Sequence, residues 1–148
     1  MYNSSVNQIA TPRPGQIAFA LLDAVHQVEA ELERALETVG LSLAKYGVLA
    51  RLAEAEEPLT LGALADRCAC VRSNITQLVD RLESERLVER SADPQDRRAI
   101  RARLTEAGRA RHLEGARMLE ETESLVLTRL PDTGRESLVH LLGLLKAG

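Results

Sequence analysis

Aromatic residues are scarce in this chain, which has no tryptophan, one phenylalanine and two tyrosines among its 148 residues. Sites that stack bases or hold flat cofactors are usually lined by several aromatic rings. We therefore expect no base-stacking platform and no bound cofactor. A Gly-rich phosphate loop, a nucleophile elbow and paired catalytic carboxylates are also missing, so we do not expect an enzyme.

Long apolar runs are lacking as well, since none approaches the roughly 18 residues that a membrane-spanning helix needs. The first fifteen residues, MYNSSVNQIATPRPG, have no signal-peptide core and are expected to form a flexible or extended arm. The length suits one domain with a real core, and we expect a cytoplasmic protein.

Helical periodicity dominates what is present. A first helix is predicted by apolar residues spaced three and four apart, with Gly40 as its stop: Ile17, Leu21, Val25, Val28, Leu32, Leu36 and Val39. A second is predicted from about 42 to 55, and a short third, LGALADR, with Thr60 as its cap. A fourth, from about 71 to 85, should bury Ile75, Leu78, Val79 and Leu82.

A hairpin should follow the fourth helix. Asp93-Pro94 suits a type I turn, and LVERS (87–91) is short enough to be one strand. From Ile100 to Leu104 apolar and charged residues alternate, which predicts Ile100, Ala102 and Leu104 inward and Arg101 and Arg103 outward.

Two further helices are predicted after the hairpin. Thr105 should cap a long helix reaching about Leu130, and Pro131 to Gly134 should form a break. The last helix, RESLVHLLGLLKAG, is apolar on most of its sides. One neighbour cannot cover such a helix, so we expect a second subunit to pack against it and against the first helix.

Charge is unevenly distributed. Residues 67–111 contain eleven arginines and seven acidic residues, while the rest of the chain contains eight basic and fifteen acidic residues. A basic middle on an acidic scaffold is typical of a polyanion-binding face. Two short helices followed by a two-stranded wing indicate a winged helix-turn-helix, a mainly α fold with a small β-wing.

The run from about 59 to 111 resembles the MarR family of bacterial transcription regulators, because LVDRLE, LVER, DPQDRR and LTEAG occur in the family's order. The resemblance implies one domain of residues 1–148, in which 41–111 form the DNA-binding lobe and 1–40 and 112–148 the dimerisation helices. It also implies a homodimeric, nucleoid-associated repressor on a pseudo-palindromic operator of double-stranded DNA, with half-sites about 10 base pairs apart.

The exposed side of the fourth helix should carry the base and phosphate contacts. We expect base contacts by Arg72, Asn74, Thr76 and Gln77 and phosphate contacts by Ser73 and Arg81, although an ion pair with Glu85 is the alternative for Arg81. At the wing tip, Arg97 and Arg98 should enter the minor groove or straddle its phosphates. The resemblance implies that Asp96 pairs with a nearby arginine and structures the wing.

Release of DNA is expected from a small aromatic effector or from oxidation, as the resemblance implies. An effector cleft would draw on Phe19, His26 and Tyr46. Cys68 and Cys70 are read either as small buried apolar residues or as a thiol switch beside the fourth helix. No histidine lies near them in sequence, so we expect no metal site.

Two departures from the family pattern bear on these assignments. Arg86 stands where the family often has glycine, so a left-handed helix end there would be costly. Val71 stands where the family often has a serine that caps the fourth helix. The competing function is a winged-helix module that binds protein instead of DNA, against which the basic wing argues.

Overall fold

The computed structural model describes residues 13–68 and 72–147, and side chains for all of these except residues 72 and 73. These residues form six helices and a small sheet. In chain order the elements are α1 (Gln16–Glu37), α2 (Leu43–Glu54), β1 (Leu59–Thr60), α3 (Leu61–Arg67), α4 (Arg72–Ser84), β2 (Val88–Ala92), β3 (Ile100–Leu104), α5 (Glu106–Leu127) and α6 (Asp132–Lys146). The predicted arm lies outside the described residues up to residue 12.

The first three helices begin and end near the predicted positions. Gly40 has φ 72°, and the turn there is closed by the N–H of Leu41, which donates to the carbonyl of Leu36 at 3.0 Å. Ser42 and Thr60 cap α2 and α3 by accepting from backbone N–H groups at 3.1 Å. Each cap satisfies a donor that the first helical turn leaves without a partner.

The sheet has three strands in the order β1-β3-β2, all antiparallel, where the sequence predicted two. The additional strand β1 pairs Leu59 with Ala102 and is two residues long, which is too short to show an alternating pattern. In the wing, Val88 faces Leu104 and Ala92 faces Ile100. The sheet therefore ties the start of α3 to the wing.

The predicted inward face of β3 is correct for two of its three residues. Ala102 and Leu104 are buried, but Ile100 is 44% exposed. Ile100 pairs with Ala92 at the end of the ladder, where the wing extends beyond the core and both strands are exposed. Arg101, predicted to be solvent-facing, is half-buried because its side chain turns to Asp93.

Arg86 and Leu87 connect the end of α4 to the start of the wing, and both contact Thr105 at the start of α5. Arg86 has φ 61°, a left-handed conformation that costs a residue with a Cβ about 1 kcal/mol. The N–H of Leu87 donates to the carbonyl of Leu82 at 2.9 Å, as in a helix end built for glycine. Thr105 donates its hydroxyl to the carbonyl of Arg86 at 2.7 Å and its N–H to that of Leu87 at 3.1 Å. The cap of α5 therefore holds Arg86 in this conformation.

The last two helices carry little of the core. Thr105 caps α5 as predicted, accepting from the N–H of Gly108 at 3.0 Å. The predicted break at 131–134 is shorter than expected, because α6 begins at Asp132 directly after Pro131. No residue of α6 is buried within the described chain, and exposed leucines lie along its length.

The core is formed by side chains from α2, α3, α4 and the wing, with Leu36 of α1 joining them. Its largest fully buried members are Leu36, Val48, Leu49, Leu64, Ile75, Val79, Leu82 and Val88. Among the helices described, none is both long and apolar enough to cross a membrane.

Gly108 allows α5 to approach the start of the wing closely. A Cβ at this position would overlap the carbonyl oxygen of Leu87 and lie 2.9 Å from its carbonyl carbon. We expect Gly108→Ala to lower the free energy of unfolding by about 1–3 kcal/mol, because backbone must move to make room. Urea denaturation measures this change.

Gly47 provides the matched control, since it also lies within a helix but a Cβ there meets no atom within 4 Å. Gly47→Ala should be neutral or should stabilise by up to about 1 kcal/mol. Equal stabilities of the two alanine variants would contradict the close approach.

Candidate nucleic-acid interface

We refer to α4 as the reading helix. Its buried side is the predicted one, formed by Ile75, Leu78, Val79 and Leu82. On the opposite side Asn74, Gln77 and Arg81 are exposed and Thr76 is half-buried. Hydroxyl and amide groups on one exposed side provide the donors and acceptors that base edges require.

Several predicted residues at the start of this helix lie outside what the structure describes. Cys70 and Val71 fall in the gap between residues 68 and 72. Arg72 and Ser73 belong to the helix by their backbone, but their side chains are not described. The contacts predicted for Arg72 and Ser73 therefore stay predictions.

A groove brings the reading helix and the wing tip together. It has a volume of about 450 Å³ and lies between the start of α3, the reading helix and the loop of the wing. Its lining residues are Thr60, Leu61, Gly62, Thr76, Asp96, Arg98, Ala99 and Ile100. Thr76 and Arg98, predicted from separate motifs, thus face the same space.

The wing loop is shaped by Asp93, which is only 7% exposed. Its carboxylate accepts the N–H of Gln95 at 2.9 Å and lies 3.0 Å from Nε of Arg101. Its own N–H donates to the carbonyl of Ala99 at 2.9 Å and closes the loop. The N–H of Gln95, and next the guanidinium of Arg101, hold the pKa of Asp93 below its usual range.

Asp96 contributes to the same loop through backbone contacts. Its carboxylate accepts the N–H of Arg98 at 3.0 Å, and its carbonyl accepts the N–H of Ala99 at 2.9 Å. The pairing with an arginine side chain that we expected for Asp96 is made by Asp93 instead. The reason is burial, since Asp93 sits under the loop and Asp96 is exposed.

The arginines of the wing fall into two groups. Arg90, Arg101 and Arg103 are paired with carboxylates on the reading helix or within the wing. Arg97 and Arg98 are exposed at the tip and form no ion pair with any residue that the structure describes. Within the wing, the positive charge available to a polyanion is therefore concentrated at the tip.

Arg81 is exposed on the reading helix, and its alternative role was an ion pair with Glu85. The structure pairs Glu85 with Lys45 of α2 instead. Because Glu85 is already paired with Lys45, the side chain of Arg81 is available for the phosphate contact that we predicted. A contact with phosphate stays a prediction.

Cys68 is half-buried and packs against the core. Its thiol lies 3.9 Å from the carbonyl of Gly47, toward which it donates. This environment supports the packing interpretation for Cys68, whereas Cys70 is outside the described residues. Among the residues described, no group of three or more His, Cys, Asp or Glu side chains is arranged to hold a metal ion.

The residues predicted for an effector cleft lie on two helices. Phe19 is 71% exposed on α1, and His26 is exposed on the same helix. Tyr46 of α2 is half-buried and stacks on His112 of α5, with ring centroids 5.5 Å apart and planes at 17°. Burial, followed by the charge of Glu54, raises the pKa of Tyr46. The stack joins α2 to α5. The sequence did not reveal this contact, because His112 is isolated from Tyr46 in the chain.

A second groove, apolar and about 500 Å³ in volume, runs between α1, α5 and α6. It is lined by Leu21, Ala24, Val25, Val28, Glu29, Leu32, Leu119, Glu123, Val126, Leu127, Leu138 and Leu142. Exposed apolar residues flank it on both end helices, among them Ile17, Leu22, Val139, Leu141 and Leu145. This surface is far more apolar than the side that holds the wing.

Comparison with known proteins agrees with the winged helix-turn-helix geometry. The sequence profile described as MarR family matches residues 39–99, which hold α2 through most of the wing. A solved structure from Pseudomonas aeruginosa, titled a probable transcriptional regulator, is 33% identical and has a TM-score of 0.78, covering 88% of this chain and 96% of that one. The chain belongs to the MarR family of transcription regulators.

Two further relatives show how far the likeness extends. CouR from Rhodococcus jostii RHA1, solved bound to p-coumaroyl-CoA, is 29% identical with a TM-score of 0.72, covering 85% of this chain and 88% of that one. The HTH-type transcriptional regulator YsmB of Bacillus subtilis, described as uncharacterized, is 36% identical over 63 residues. That match covers 43% of this chain and 38% of the YsmB sequence.

The lowered pKa of Asp93 predicts how the wing responds to acid. A carboxylate whose pKa is lower in the folded state stabilises the fold above its unfolded pKa, and the stabilisation is lost as the pH falls through the folded pKa. Asp93→Asn should therefore be less stable than the wild type at neutral pH, and the difference should shrink in acid. Urea denaturation at a series of pH values measures it.

Asp96→Asn is the control, because it changes an exposed carboxylate of the same loop. Its stability should follow the wild-type pH curve more closely than that of Asp93→Asn. Parallel curves for wild type and Asp93→Asn would show that the charge of Asp93, with its contacts to Gln95 and Arg101, contributes nothing to stability.

Proposed function

We propose that this protein is a non-enzymatic regulator that binds double-stranded DNA as a homodimer and represses transcription from a pseudo-palindromic operator. The observation that carries the proposal is that Thr76 of the reading helix and Arg98 of the wing line one groove, at a wing tip where Arg97 and Arg98 form no ion pair with the described residues. A duplex fits such a surface, since amides and hydroxyls meet base edges while guanidinium groups meet phosphates. DNA binding implies a cytoplasmic, nucleoid-associated location.

The end helices support the homodimer. The first half of α1 and all of α6 present large apolar side chains to solvent, including Phe19 at 71% and Val139 at 73% exposure. Monomeric proteins rarely expose contiguous apolar patches of this kind. A second copy is the occupant that suits them, because a twofold axis would bring identical faces together and present two wings to one duplex. In this arrangement residues 41–111 form the DNA-binding lobe and residues 1–40 and 112–148 the dimerisation region.

Effector control is the third component of the proposal. CouR, a protein of similar structure, was solved with p-coumaroyl-CoA, and we propose that a small aromatic compound, or an oxidant, weakens DNA binding here. The Tyr46–His112 stack joins α2 of the lobe to α5, so a ligand that alters it changes the placement of the lobe. Such a ligand acts by its differential affinity for the two dimer spacings.

Selection of bound fragments from random duplex DNA tests the proposal directly. An inverted repeat is the expected product, with half-sites about 10 base pairs apart. Repeating the selection with p-coumaroyl-CoA or with peroxide tests effector release. Retrieval of no inverted repeat would favour the alternative, a winged-helix module that binds protein.

Arg98→Ala should weaken binding to every duplex sequence and should lower the slope of log K against log salt by about one, because one phosphate contact is lost. Gln77→Ala provides the contrast, since loss of a base contact should cost about 1–3 kcal/mol on the operator and little on unrelated DNA. Fluorescence anisotropy over a range of salt concentrations measures both. An unchanged salt slope for Arg98→Ala would eliminate the wing contact.

The dimer is tested by the double variant Leu141→Glu/Leu145→Glu on α6. Both leucines are more than half exposed in the single chain, so the monomer fold should tolerate glutamate while a buried interface should not. Sedimentation should give twice the 16.2 kDa chain mass for the wild type and the chain mass for the variant. Ile100→Glu, on the wing, should stay dimeric, and a dimeric double variant would place the interface elsewhere.

A further inference from the structure

Arg90 of β2 makes the ion pairs that join the reading helix to the wing within the described residues. Its Nη1 lies 2.7 Å from Oδ1 of Asp80, and its Nη2 lies 2.6 Å from Oε2 of Glu83. Its Nε donates to the same oxygen of Glu83 at 2.9 Å. Asp80 and Glu83 are three residues apart on α4 and therefore lie on one helix face, where a single guanidinium reaches both.

Arg90 lies on β2 between the buried start of the strand and its exposed end. Val88 is buried in the core, and Arg90 follows two residues later on the same side of β2, nearer the wing tip. Ala92, the next residue on that side, is exposed. The clamp formed by Arg90 with Asp80 and Glu83 thus holds the wing to the reading helix where apolar packing ends.

The chemistry of the clamp suits a fixed angle between the two elements. Arg90 is 26% exposed, and its planar guanidinium makes several directed contacts at once, which a lysine ammonium does not reproduce. The hydrogen bond from Arg90 lowers the pKa of Glu83, because the guanidinium favours the charged form of this carboxylate. The clamp also neutralises part of the negative charge that the reading helix would carry toward DNA.

We propose that Arg90 is a positioning residue for DNA binding, which fixes the arginines of the wing tip at the angle from the reading helix that a duplex requires. The inference rests on the DNA-binding function proposed above. Arg90 acts through Asp80 and Glu83, not through a phosphate, and the tip residues Arg97 and Arg98 make the contact. Loosening the clamp therefore weakens binding although the number of basic residues is unchanged.

Glu83→Gln separates this role from direct contact of Arg90 with phosphate. If Arg90 positions the wing, weakening its partner lowers DNA affinity, even though the variant has lost a negative charge. If Arg90 instead binds phosphate, the same change releases its guanidinium and raises the affinity. The two roles thus predict opposite signs for one substitution.

The experiment measures binding of the full chain to the selected operator over a range of salt concentrations. Glu83→Gln and Arg90→Lys should each bind about tenfold more weakly than the wild type, because each loses the directed contacts of the clamp. Glu89→Gln is the matched control on the neighbouring strand position. Its carboxylate pairs with Arg103 within the wing, so its affinity should equal or exceed that of the wild type.

The salt slope distinguishes positioning from general loss of structure. A misplaced wing makes fewer phosphate contacts, so the slope should fall in Glu83→Gln, whereas partial unfolding would lower the active fraction and leave the slope unchanged. Asp80→Asn, which loosens the other arm of the clamp, replaces Glu83→Gln if thermal melting shows that the latter is unfolded.

The outcomes separate this inference from the function on which it rests. A wild type that binds no duplex overturns the DNA-binding proposal itself. A wild type that binds its operator, together with a Glu83→Gln variant that binds as tightly or more tightly, overturns the positioning role of Arg90. Lower affinity with a lower salt slope in Glu83→Gln, and unchanged or higher affinity in Glu89→Gln, supports it.

Discussion

The arrangement of the reading helix, the wing and α5 depends on contacts made by the backbone of Leu87, above all by its carbonyl. The reading helix has just ended there, β2 is about to start, and the first turn of α5 rests against it. The N–H of Thr105 donates to this carbonyl, and the lack of a side chain at Gly108 lets the helix backbone come into contact with it. Because the N–H of Leu87 bonds the end of the reading helix and its carbonyl contacts the start of α5, a movement of α5 acts directly on the base of the wing.

The arginines of the wing have two different electrostatic environments. Several are held by carboxylates inside the lobe, and these pairs fix the geometry of the wing and of the reading helix. Arg97 and Arg98 are without such partners among the described residues and stay available at the tip. An acidic protein thereby presents two exposed arginines where the wing tip approaches the reading helix, which suits the binding of a polyanion such as DNA.

Sequence periodicity was sufficient for the helices, their buried faces and the caps at Thr60 and Thr105, because each depends on neighbours within a turn or two of chain. Periodicity missed β1, because its two residues form a strand only by pairing with β3, which is distant in the chain. The family resemblance implied that Asp96 is the arginine partner in the wing, whereas the structure pairs Asp93 with Arg101, since burial distinguishes the two carboxylates and is not visible in a local pattern. The clamp at Arg90 was missed for a related reason, because its carboxylates lie seven and ten residues away on another element.

The closure of the wing loop by the N–H of Asp93 and the carbonyl of Ala99 has an evolutionary consequence. The loop length is fixed by that hydrogen bond and by the buried carboxylate beneath it, whereas the side chains of Gln95, Arg97 and Arg98 project into solvent. If the protein binds DNA as proposed, substitutions at these three positions would change the contacts with a duplex without disturbing the fold, while insertions and deletions would break the closure. As related sequences diverge, the residue types in this loop should therefore change before the loop length does.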